Sequence, residues 1–146
     1  MKKLIWMLGF TLLVVQLSYG QNDQASLSGI FQTAAQGGVK LPFYNNPDRS
    51  LRIDKSVAIT FADFKKMTTK STPQGKTLSI KLNKAGKAKL IQMTQKNLQK
   101  PLVIVFEGEI LSAPLVQETI TSGNLQITGI DKKTVHKLIK SYKKDK

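Results

Sequence analysis

The residues able to do chemistry in this chain are few and scattered. His136 is the single histidine. It stands among lysines with no carboxylate beside it, so it reads as helix surface rather than as a base or ligand. Glu107 and Glu109 flank Gly108. Two carboxylates can act as acid and nucleophile, but strand residues alternate faces and these need not converge, so turn formation explains them better. Ser112 precedes Ala113 and Pro114 without the strand–turn–helix elbow of a nucleophile. Gly37-Gly38-Val39-Lys40 lacks the spacing and the following hydroxyl residue of a phosphate loop. Cysteine is absent, which excludes disulfides and thiolate metal sites, and no cluster has metal-ligand spacing. The sequence therefore offers no catalytic, cofactor-binding or metal residues, and a non-enzymatic protein is expected.

Charge is the stronger signal. Lys and Arg number 23 against 9 Asp and Glu, a formal net charge of +14 over 146 residues. Such an excess draws a protein towards lipid headgroups, acidic polymers or acidic polypeptides. Nucleic acid fits poorly, because aromatic residues are only 7% and do not interleave with the lysines as a stacking platform requires. The N-terminus points to export. Lys2 and Lys3 precede an apolar run from Leu4 to Leu17, and Ser18-Tyr19-Gly20 places small residues at the positions a signal peptidase inspects. Cleavage is expected between Gly20 and Gln21, leaving a periplasmic or extracellular protein. No second apolar run follows, so the mature chain is expected to lack a membrane-spanning helix.

Elements must position whatever surface the chain presents. Residues 21–49 are polar and read as a flexible leader with at most a short helix near Ser26–Gln32, and residues 50–146 as the folded domain. Leu51, Ile53 and Val57 to Ile59 predict one or two short strands. Thr60 and Asp63 have capping-box spacing, and Phe61, Phe64 and Met67 recur at helical spacing, which predicts a short helix to about Thr69. Leu78, Ile80 and Leu82 alternate with polar residues as a half-solvated strand. Asn83 caps a helix to about Leu98, with Gly86 placed for close approach to the sheet. Pro101 opens a strand, Leu102 to Phe106, that is apolar on both faces and therefore interior. Glu107-Gly108 forms a type I′ turn into Glu109-Ile110-Leu111. A further turn at Gly123 leads to a strand at Leu125 to Thr128. Asp131 then caps a helix whose face is Val135, Leu138, Ile139 and Tyr142, with Lys133, Lys137, Lys140 and Lys144 opposite as a candidate electrostatic surface.

The stretch from about Val57 to Tyr142 carries a pattern beyond periodicity. Thr60…Asp63, Leu82-Asn83, Gly86, Leu90, Thr94, Asn97 and Pro101 are followed by Leu102 to Gly108. Ser112-Ala113-Pro114, Gly123 and Gln126-Ile127-Thr128-Gly129 complete it. In this wording and order the chain resembles the head subdomain of the first extracytoplasmic region of SecD and SecDF, the protein-export subunits. Glu107 stands where Asp is usual and Ser122 where Gly is usual. The exit after the last helix is replaced by Lys140-Ser141-Tyr142-Lys143-Lys144. The resemblance implies a free-standing head without the membrane helices that carry proton coupling, contacting exported or unfolded polypeptide or a translocase partner. An α+β two-layer domain is expected, a mainly antiparallel sheet with helices packed on it. The alternative function is a basic envelope protein that binds anionic lipid or polysaccharide.

Overall fold

The computed structural model describes residues 26–146, so the expected signal segment and its cleavage point lie outside the described residues. Eight strands and two α-helices follow in the order β1 (Gly29–Thr33), β2 (Val39–Phe43), β3 (Asn46–Ile59), β4 (Phe64–Thr72), β5 (Gly75–Leu82), α1 (Lys84–Lys96), β6 (Leu102–Phe106), β7 (Glu109–Ser112), β8 (Asn124–Ile130) and α2 (Lys132–Lys144). They form a closed five-stranded barrel, β1-β3-β2-β7-β6, and a three-stranded sheet, β4-β5-β8. All pairings are antiparallel except the Phe43–Ile110 contact of β2 with β7.

This corrects the simple two-layer expectation. It also corrects the flexible leader, whose residues supply β1, β2 and the start of β3 to the barrel. Ile30, Phe31, Leu41 and Phe43 are buried, and that burial holds these strands in place. The short helix considered near Ser26–Gln32 is strand from Gly29 onward. The one or two short strands expected between Leu51 and Ile59 are part of a single long strand, Asn46–Ile59.

A second correction concerns Phe61 to Thr69. Only Phe61–Asp63 is helical, as a single 3-10 turn, and Phe64 begins β4. The register with β5 shifts between Phe64, opposite Leu82, and Lys66, opposite Lys81. A bulge of this kind turns an i, i+3 pair onto one face of a strand. Phe64 and Met67 both enter the core, so a helical spacing is satisfied by strand geometry.

Strand β6 organises the interior. Val103 and Val105 pack with Phe31, Leu41, Phe43, Ile53 and Ile110 inside the barrel. Leu102, Ile104 and Phe106 face the other way, into a core shared with Leu78, Ile80, Leu82, Leu90, Met93, Ile127, Val135 and Leu138. The two faces follow from the period of two along a strand. Each β6 residue is buried, as an interior strand requires.

Candidate binding surface

The residues of the sequence pattern converge on a joint rather than on a reactive centre. Asp63 is buried, and its carboxylate accepts the Thr60 amide at 3.0 Å and the Lys89 ammonium at 2.8 Å. Asp63 also accepts the Asn83 amide on its carbonyl at 2.8 Å. The Asn83 side chain caps α1 by accepting the Gly86 amide at 2.9 Å, and it donates to the Ala62 carbonyl at 2.9 Å. Gly86 lies so close that a Cβ there would stand 2.7 Å from the Asp63 carbonyl oxygen. The close approach expected of Gly86 to the sheet is instead a tight contact with the 3-10 turn, because Asn83 bonds α1 to Ala62 and Asp63.

The far end of α1 is tied as firmly. The buried Thr94 hydroxyl donates to the Leu90 carbonyl and accepts the Ile120 amide at 3.0 Å. Asn97 donates to Gln32 on β1, and Gln32 donates to Asp54 on β3. Asp54 also accepts the Ser56 amide, and these bonds, Ser56 foremost, hold its carboxyl below the usual range. Pro101 bridges to Leu115, while Pro114 accepts the Leu102 amide at 2.9 Å. Ser112 pairs with Ile104, and Ala113 packs at the barrel margin. Gly123 accepts the Leu82 amide at the end of β5. Thr128 and Gly129 lie on β8 where its pairing with β5 shifts. These pattern residues build the scaffold.

Glu107 and Gly108 have φ of 49° and 79°, the pair of positive values that a type I′ turn needs. Ser28 accepts the Glu107 amide and Leu27 accepts the Gly108 amide, so the chain ahead of β1 closes over this turn. Glu107 and Glu109 are exposed, as is His136. Among the described residues no group of acids or histidines is placed to hold a metal ion.

Two surfaces remain as sites. One is an apolar groove of about 290 Å³, lined by Leu102 and Ile104 of β6, Leu115, Val116 and Ile120 of the following loop, and Leu125 of β8. Leu115 is 47% exposed. Sequence reasoning missed this groove; the signal available was Leu115, Val116 and Ile120 in the loop after β7. The other is basic. Lys133, Lys137, Lys140 and Lys144 are exposed on α2, and among the described residues one ion pair forms, Lys89–Asp63. A larger open hollow of about 580 Å³ is lined by Ser26, Ser28, Thr60, Phe61, Lys144 and neighbouring residues. It lies away from His136, and it brings hydroxyls together without an adjacent imidazole.

The class is an α+β domain: a small closed barrel that shares its β6 wall with an open sheet and two helices. Comparison supplies the family. Residues 39–140 match the SecDF, P1 head subdomain, and the chain belongs to that family. It is 29% identical over 106 residues to protein translocase subunit SecD of Acidaminococcus fermentans, covering 62% of this chain and 25% of that protein. The SecD of Dictyoglomus turgidum is 30% identical over 106 residues, covering 62% and 26%. The chain thus spans about a quarter of the length of these relatives. Two solved structures share the fold at a TM-score of 0.53. SecDF in its super-membrane-facing form is 19% identical, with 73% of this chain and 17% of that one covered. The other, SecDF as a membrane component that enhances protein export, is 17% identical over 74% and 58%. Among the described residues no helix is long and apolar enough to cross a membrane.

Proposed function

We propose that the chain is an extracytoplasmic, non-enzymatic binding module that contacts exported or unfolded polypeptide beside a translocase. The observation that carries this reading is the family match over residues 39–140, which runs from the barrel to the last helix. The signal-like N-terminus supports the compartment, with cleavage at Gly20–Gln21 as the processing step. A second reading has its own support. The exposed lysines of α2 stand without carboxylate partners among the described residues, which suits an anionic lipid or polysaccharide surface.

Salt separates the two. Exposed charges are screened over about 8–10 Å near physiological ionic strength, so binding to an anionic vesicle falls steeply with added salt. Apolar contact with a denatured, near-neutral polypeptide persists. Changing Lys133, Lys137, Lys140 and Lys144 together to Gln weakens the first and spares the second. Binding of the polypeptide that vanishes with salt refutes the leading reading. Intact mass of the exported protein, expected to begin at Gln21, tests the compartment.

A further inference from the structure

The two outer strands of the three-stranded sheet are protected unequally. Strand β4 carries Lys65, Lys66 and Lys70, and lysines along an edge discourage a foreign strand from pairing there. Strand β8, Asn124–Ile130, has no charge and no proline in its seven residues. It pairs only with β5, and among the described residues its outer edge makes no backbone hydrogen bond to another element. The apolar groove runs along this open edge, with Leu125 on its border and Leu115 exposed beside it. An unguarded edge next to an apolar slot is the arrangement by which proteins add an extended peptide to a sheet.

The solvated face of the same sheet defines the rest of the occupant. Leu78, Ile80 and Leu82 are buried, so Ser79 and Lys81 point outward. The register places Lys66 opposite Lys81, Thr68 opposite Ser79, Gln126 opposite Ser79 and Asn124 opposite Lys81. These side chains line a shallow depression of about 360 Å³ with no acidic residue in its lining. Two like charges directly across a ladder repel, and an anion beside them removes that penalty. In the groove the single acid is Glu118, which disfavours an inward-pointing carboxylate. An added strand alternates its side chains between these two environments.

We propose that the β8 edge takes up an extended segment of a partner polypeptide whose apolar residues alternate with acidic ones. Its apolar side chains enter the groove and its carboxylates project on the solvated face, where the long side chain of Lys81 reaches across β8 towards them and Lys66 adds its field from the strand beyond. The inference rests on the polypeptide-binding reading above and deepens it, by naming the surface and the pattern recognised.

The test uses the whole chain and a labelled peptide of alternating valine and glutamate, matched in length to β8. A block peptide of the same composition, a valine–lysine peptide and a version N-methylated along either edge serve as comparisons. Fluorescence anisotropy is expected to rank the alternating acidic peptide first, with each comparison roughly tenfold weaker or more. Leu115→Asp, at an exposed site, weakens the alternating peptide with unchanged circular dichroism. Lys66→Gln with Lys81→Gln abolishes the preference for glutamate over lysine. Equal binding of alternating and block peptides, or indifference to N-methylation of both edges, overturns the proposal. So does self-association in sedimentation that Leu115→Asp abolishes, which would make a second copy the occupant. If denatured near-neutral polypeptide binds while Leu115→Asp has no effect on it, this edge is refuted and the broader reading stands. If neither peptide nor polypeptide binds, both fail.

Discussion

Gly86→Ala isolates the joint between α1 and the 3-10 turn, because helix propensity and packing predict opposite signs. In a helix interior, alanine is about 1 kcal/mol better than glycine. A methyl at position 86, however, would stand 2.7 Å from the Asp63 carbonyl oxygen and 2.9 Å from the Asp63 Cβ. Backbone cannot yield as a flexible side chain would, so the helix start must back away. The bonds that straddle this gap then lengthen: Asn83 amide to Asp63 at 2.8 Å, Asn83 side chain to Ala62 at 2.9 Å, and Lys89 to Asp63 at 2.8 Å. Overpacking costs about 1–3 kcal/mol, and each weakened hydrogen bond about 1 kcal/mol. Set against the propensity gain, the net loss is about 3–5 kcal/mol if all three bonds are weakened, a fall in Tm of roughly 15–20 °C for a domain of this size. Urea unfolding with an unchanged slope, together with a thermal melt, measures it. Ala88→Gly, exposed on the same helix, is the control and costs about 1 kcal/mol by propensity alone. A Gly86→Ala protein as stable as the parent, or more so, refutes the close approach.

Gly108 has φ of 79°, so Gly108→Val should cost about 1–3 kcal/mol in a thermal melt; an unchanged Tm would deny the type I′ turn. Lys89→Met leaves the Asp63 carboxylate with the Thr60 amide alone among the bonds described above. With Lys89 41% exposed, the expected loss of stability is about 1 kcal/mol, read from the urea midpoint. Asp131 accepts the Thr134 amide at 2.9 Å, and bonding by Thr134 lowers its carboxyl from the ordinary 3.8. A lowered folded-state value stabilises above the ordinary value and is lost as pH falls through the folded one. Asp131→Ala should therefore destabilise at about pH 6 and differ much less from the parent near about pH 2. A difference that is the same at both refutes the capping role.

Local pattern carried some elements and failed at others for identifiable reasons. Leu78, Ile80 and Leu82 alternate, Asn83 caps, and Leu102 to Phe106 are apolar throughout, so β5, α1 and β6 could be read from neighbours in sequence. The barrel could not. Ile30 pairs with Ile104 and Phe31 with Val103, contacts between residues more than seventy positions apart that no window of local composition contains. Without them, Gly29 to Phe43 reads as polar chain with too little to bury. Phe61, Phe64 and Met67 misled because a bulge and a helix can place the same spacing inward. The basic face of α2 was legible from its period. The groove was not, because it forms only where the loop after β7 meets β6 and the edge of β8.

Strand β6 has a practical consequence for where this chain can be cut. A shortened form starting at residue 50, the boundary that composition alone recommends, would lack β1, β2 and the first part of β3 while keeping β6. Val103 and Val105 would then line an opened half-shell, with the β6 edge that pairs β1 now bare. Such a fragment is not a smaller domain. It is a sticky intermediate, prone to coupling with its own copies through that edge. The smallest piece that retains a finished interior begins ahead of Gly29, with Leu27 and Ser28 included to close the Glu107–Gly108 turn.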